Sequence, residues 1–217
     1  MATEKQLPKL AAMLVEHQNE FVTLSNEDTQ WAILNPKEAI ALACEAIRNR
    51  AKVAVTMVIE LLLDLIGTVT VPATTDRFVA REKFVRDTGR KAKVKISFLG
   101  DNFETWFGNK VEGPTVEQTL RYAKLRKSSV DRPIIAELGD KAETTLTEMF
   151  SLMEMQKNGE SGVLLNNGLA NIFYVKDINA VLRSVGVGWD GGGWDVGASG
   201  VGGPGAWGGG GRVFSRN

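Results

Sequence analysis

The sequence predicts an α+β protein in which a helical N-terminal layer packs on a mostly antiparallel sheet ending in a C-terminal β-meander. Three observations predict it. Residues 35–67 carry one long apolar stripe at helical spacing, and residues 93–98 alternate polar and apolar side chains at strand spacing. From Gly162 onward, short β-type runs are separated by turn residues. Helical runs followed by strand runs favour α+β over a βαβ arrangement. The helical region is assigned to residues 1–66 and the sheet-bearing region to 67–217, together forming one compact domain.

The dominant element is a helix over 36–66, or a helix pair broken near Asn49–Lys52. Asn35-Pro36-Lys37-Glu38 has a capping asparagine, a proline at the first helical position and a glutamate placed to reach back. Ile40, Cys44, Ile47, Ala51, Ala54, Val58, Leu61 and Leu65 then follow at alternating spacings of four and three, with Gly67 as the stop. Before it, Leu7 to Phe21 has a helical pattern, and Ser25-Asn-Glu-Asp resembles a cap for a small element over 26–33.

Thr68 to Val71 is β-branched and closed by Pro72, which predicts a short strand. Residues 76–87 and 115–127 fit helix or strand equally. Lys93-Val-Lys-Ile-Ser-Phe98 is a strand with lysines and serine on the solvated face and Phe98 on the core face. Asn102 is placed to cap a short helix carrying Phe103, Trp106 and Phe107, and a second strong helix runs from Asp140 to about Asn158. Its methionines read as adaptable packing. The meander draws on Val163–Leu165, Asn171–Val175, Val181–Val185, Trp194–Val196 and Arg212–Asn217. Between Gly186 and Gly211, 14 of 26 residues are glycine, which leaves two readings open: a meander with tight turns, or a flexible tail with aromatic anchors.

Lys plus Arg and Asp plus Glu number 26 each, so any electrostatic preference is local. One cysteine, Cys44, excludes an internal disulfide and a cysteine-built metal site, and its place on the apolar stripe makes it a packing thiol. No signal-peptide pattern opens the chain, and the apolar run Val53–Ile66 carries Glu60 and Asp64 and falls short of the about 20 residues that span a bilayer. A cytoplasmic protein without a membrane role is expected. No phosphate-cradle or nucleophile-elbow motif is present, His17 lies among polar neighbours, and no cofactor is expected.

Two constellations remain as sites. Arg77, Arg81, Arg90, Lys91, Lys93 and Lys95, followed by Arg126 and Lys127, are basic clusters suited to phosphates, with a solvated face as the alternative. Trp189, Trp194 and Trp207 sit among glycines, where rigid aromatics either pack in the core, the favoured reading, or suit recognition of a protein partner or a second copy. A third reading is a carboxylate-dependent enzyme using Glu60 with Asp64, one helical turn apart, or Asp101. The first expectation is a non-catalytic interaction or structural protein, with nucleic-acid binding as the alternative.

The stretches IGTVTVPATT (66–75), KVKISFLGDNFETWF (93–107), SSVDRPIIAELG (128–139), NIFYVKD (171–177) and RVFSRN (212–217) resemble a set of uncharacterised small bacterial proteins. The likeness covers most of the chain beyond residue 60 and implies no activity, cofactor or catalytic residue. The glycines at 186, 188, 197 and 208–211 depart from that pattern, where larger side chains are expected.

Overall fold

A computed structural model of the chain describes residues 25–45 and 61–217. The chain divides into two compact units, Met1–Glu60 and Leu61–Asn217. In the first, Ser25 caps helix α1 (Asn26–Leu34) by accepting from the Asp28 backbone N–H at 3.0 Å. Residues 36–45 are helical, as the Asn35-Pro36 start predicts. Asn35 itself differs from expectation, because its side-chain amide turns back to the Trp31 carbonyl at 2.9 Å. His17, Glu60 and the stripe from Ile47 to Val58 lie outside the described residues, as does the packing expected of that stripe.

The second unit is built on an eight-stranded mixed, mostly antiparallel sheet. Its strands are β1 (Leu63–Val71), β3 (Ile96–Leu99), β5 (Gln118–Leu125), β6 (Glu143–Thr144), β7 (Asn171–Lys176), β8 (Leu182–Trp189), β9 (Trp194–Gly200) and β10 (Arg212–Arg216). The order is β1-β5-β10-β7-β8-β9-β3, with β6 beside β7. Strands β2 (Phe78–Val79) and β4 (Val111–Glu112) form a separate pair. The α+β class therefore holds.

The helix expected to reach residue 66 does not do so. Leu63 to Ile66 belong to β1, where Leu65 pairs with Ala123 and Gly67 with Tyr122. The Glu137 carboxylate accepts from the backbone N–H groups of Leu62 and Leu63 at 2.7 and 3.0 Å, which engages those donors at the start of the strand. Gly67 is a close approach rather than a helix stop, since a Cβ there would sit 2.9 Å from the Tyr122 hydroxyl.

Strand β7 shows why the core has two sides. Residues 171–175 are all buried, with Phe173 and Val175 in one apolar cluster and Ile172 and Tyr174 in the other. Alternation at period two sends them to opposite faces, and both faces are covered. Helices α2 (Ala80–Lys83), α3 (Asp101–Phe107) and α5 (Leu146–Met155) contribute to the first cluster, and α4 (Asp131–Leu138) to the second.

Helix α5 begins at Leu146 rather than Asp140 because Thr145 and Glu148 form a reciprocal capping box there. Residues 163–165 lie outside any strand; Gln156 brackets Leu164 with two side-chain hydrogen bonds of 2.7 and 3.0 Å. The alternation of 93–98 breaks at a register shift between Ile96 and Phe98. One extra residue reverses the faces that follow, so Phe98 is 50% exposed instead of in the core.

Candidate functional site: the Asp131–Trp207 cleft

The glycine-rich segment is held by the rest of the second unit, which decides between its two readings in favour of the meander. Strands β7, β8 and β9 pair antiparallel in sequence order. Trp207 and Ser129 exchange backbone hydrogen bonds of 2.9 and 3.2 Å, and the Gly210 N–H donates to the Leu125 carbonyl at 2.7 Å. The loop 201–211 therefore lies against the segment that enters α4. Gly186 makes room for this arrangement, because a Cβ there would be 2.9 Å from the Trp207 ring.

Under that loop, three elements meet. Tyr174 on β7 pairs with Ser184 on β8, which pairs with Ser199 on β9, so the three lie in one row across the sheet. Asp131 opens α4, where an acid is favoured by the helix dipole, and Pro133 falls in the first turn, where its missing N–H costs no helical bond. Asp131 is only 3% exposed. Its Oδ1 accepts from the Tyr174 hydroxyl at 3.1 Å and from the Trp207 indole N–H at 2.7 Å, and its Oδ2 accepts from the Ser184 hydroxyl at 3.2 Å. Burial, followed by the charge and hydrogen bond of Asp131, pushes the Tyr174 phenol far above its ordinary value, so it remains a proton donor.

These groups border an open cleft of about 430 Å³, lined by Asn102, Asp131, Ser184, Ser199, Trp207 and the loop 203–206. That volume suits one side chain or a small ligand. Asp131, Ser184, Ser199 and Asn102 were not among the sequence candidates. The only local signal is an acid directly before an apolar helix that carries a proline.

The three tryptophans have different places. Trp207 is in the cleft wall. Trp194 is 0% exposed, its indole donating to the Gln156 carbonyl at 3.0 Å, so it takes the core place expected for it and is removed from any recognition surface. Trp189 packs edge-on against Trp194 at 5.2 Å and lies over Gly159.

The basic residues are also dispersed. Arg77, Arg81, Arg90, Lys91 and Lys93 are exposed and Lys95 is half-buried, all on the β3 side of the unit or in the segments leading to it. Arg81 borders a second cleft of about 300 Å³ with Phe84, Leu99, Phe103 and Glu104. Arg126 and Lys127 follow β5, and four strands separate β5 from β3 along the sheet. Arg126 pairs with Asp64, whose carboxyl is thereby held below its ordinary value. Asp64 is thus a half-buried strand residue, not one of two acids on a helix, and Asp101 is exposed at the start of α3.

Among the described residues, no group of three or more His, Cys, Asp or Glu side chains is arranged to hold a metal ion. No helix among them is long and apolar enough to cross a membrane. Comparison with protein-family models, curated proteins and solved structures returns no match to this chain.

Proposed function

We propose that this protein is a non-catalytic binding module, acting in the cytoplasm, whose recognition site for a protein partner is the Asp131–Trp207 cleft. One observation carries the reading: a nearly buried carboxylate at the cleft is fixed by donors from a strand, its neighbour and the loop. An acceptor locked by three hydrogen bonds is built to hold a group in place. A proton-transferring acid needs freedom to exchange its proton with substrate, which this arrangement opposes.

The test uses Gly205, a lining position where a Cβ would meet nothing within 4 Å. Gly205→Leu adds bulk beside the cleft without straining the backbone. Immobilised wild-type protein is expected to retain a partner that the variant does not. Equal recovery by both refutes the cleft as the site. Sedimentation over a concentration series distinguishes self-association, since the same substitution then lowers the mass of the wild-type oligomer.

Nucleic-acid binding is a second reading, supported by the exposed Arg77, Arg81, Arg90, Lys91 and Lys93 and by the half-exposed Phe98 on edge strand β3, an aromatic surface on which a base can stack. Affinity for single-stranded oligonucleotides that falls steeply with salt, and is lost on reversing Lys91, Lys93 and Lys95 to glutamate, is its expected signature. Absence of binding at low salt removes it.

A further inference from the structure

We infer that the Asp131–Trp207 cleft receives the ammonium group of a lysine side chain presented by the partner protein, a statement that rests on the binding reading above. The argument begins with charge. Asp131 is nearly buried, yet it takes part in none of the ion pairs among the described residues. A buried carboxylate ordinarily has a cationic partner, because neutral donors offset only part of its lost hydration. The two other carboxylates with buried side chains follow that rule: Asp177 meets Arg183 at 2.9 Å and Glu148 meets Arg216 at 3.3 Å. Asp131 is the exception, and it borders a cleft.

The lining has acceptors to spare, and the side-chain donors nearest Asp131 are engaged with it. The Trp207 N–H and the Ser184 hydroxyl both point at Asp131, and the Asn102 amide N–H donates to the Ala198 carbonyl at 3.2 Å. What remains on the side chains is the Asn102 amide oxygen, the lone pairs of Ser184, the hydroxyl of Ser199 and one acceptor position on Asp131, and the loop adds the backbone N–H groups of Gly205 and Ala206. A carboxylate offers about four such positions, and Asp131 Oδ1 holds two donors while Oδ2 holds one. Around Asp131 the side-chain groups mostly accept, so a ligand rich in donors fits there, and an aromatic ring in the same wall favours a cation.

The same count selects ammonium over guanidinium. Arginine binds a carboxylate best with two parallel bonds, one to each oxygen, and here one oxygen is already filled. An ammonium is a point charge that needs a single open position on the carboxylate and takes its other two partners from hydroxyl or amide oxygens.

The experiment titrates the full chain with acetyl-Gly-Gly-Lys-Gly-Gly-amide and follows the Trp207 indole N–H resonance, identified by its absence in Trp207→Phe. The lysine peptide is expected to shift that resonance saturably. Its norleucine counterpart, which keeps the stem and lacks the charge, is expected to bind at least about tenfold more weakly, a difference of about 1.4 kcal/mol. Asp131→Asn is expected to erase the preference for lysine, and should it fail to fold, Gly205→Leu is expected to abolish binding with the carboxylate intact. Equal binding of the lysine and norleucine peptides overturns the inference while leaving a cleft that binds. No shift with any peptide also overturns it, and the cleft reading then stands or falls on the capture experiment alone. An affinity for n-butylamine equal to that for the lysine peptide assigns the site to a free amine and overturns the protein-borne lysine.

Discussion

Replacing Asp131 by alanine removes three hydrogen bonds at once, and their surroundings set the cost. Tyr174 is fully buried and, among the described residues, Asp131 is the only partner of its hydroxyl, so that hydroxyl is left without an acceptor. Stranding it costs about 1–3 kcal/mol. Trp207 is half-buried beside an open cleft, where its N–H regains water, so its loss is about 0.5–1.5 kcal/mol. Ser184 retains the Ser199 carbonyl at 3.3 Å as an alternative acceptor and contributes little. The expected destabilisation of unit 61–217 is about 2–4 kcal/mol, or a fall of about 1–2 M in the urea midpoint at a slope of about 2 kcal/mol/M.

The double substitution Asp131→Ala with Tyr174→Phe removes the stranded hydroxyl as well. It is expected to cost about 1–3 kcal/mol less than the sum of the two single changes. Because the chain has two compact units, the probe must report on 61–217, and tryptophan fluorescence does so, since every tryptophan except Trp31 lies there. Strict additivity, with coupling below about 0.5 kcal/mol, refutes the claim that Tyr174 depends on Asp131.

Three further outcomes rest on other buried or strained groups. Burial holds the Glu148 carboxyl above its ordinary value of 4.5 despite Arg216 and the Thr145 N–H, so its contribution to stability is full below pH 4.5 and is lost as pH rises through the folded value. Glu148→Gln, which keeps an acceptor for the Thr145 N–H, should flatten that decline in urea midpoints measured from pH 4 to 7; an unchanged profile contradicts it. Tyr174, held protonated by burial and by Asp131, contributes stability that is present below its ordinary value of 10 and declines as pH rises beyond it. Its phenolate absorbance should appear only on alkaline unfolding, so Tyr174→Phe leaves the titration of the folded protein unchanged. Gly159 has φ of +71° and lies under the Trp189 ring, so Gly159→Ala combines backbone strain with a clash and should cost at least about 2 kcal/mol in urea unfolding, with a loss under about 0.5 kcal/mol as the refuting result.

Much of the local structure is legible in neighbouring residues. The Ser25 cap, the helical start after Asn35, the strand at Thr68–Val71, the three-strand meander and the terminal strand all rest on capping groups, β-branching or turns within a few positions of one another. Where the signals are short and two-sided, as at 115–127, the local residues do not choose between helix and strand. That segment became β5, the partner of both β1 and β10. The leucine run at 61–66 fits a helix by spacing alone, and pairing with β5 drew Leu63–Ile66 into β1. Phe98 changed faces through one extra residue, which no alternation pattern reports.

The cleft belongs wholly to tertiary structure. Asp131 stands 43 residues from Tyr174, 53 from Ser184 and 76 from Trp207, and no spacing rule joins positions so far apart. Composition and periodicity determined that this chain would form a sheet with helices on it and that glycines would gather around tryptophans near its end. Only the register of β7, β8 and β9, together with the return of the loop onto Ser129, decided which tryptophan lines a cleft and which carboxylate lies beside it. The reason is physical: helix spacing and strand alternation describe one element's faces, whereas a site requires faces of several elements to meet, and that is set by long-range pairing.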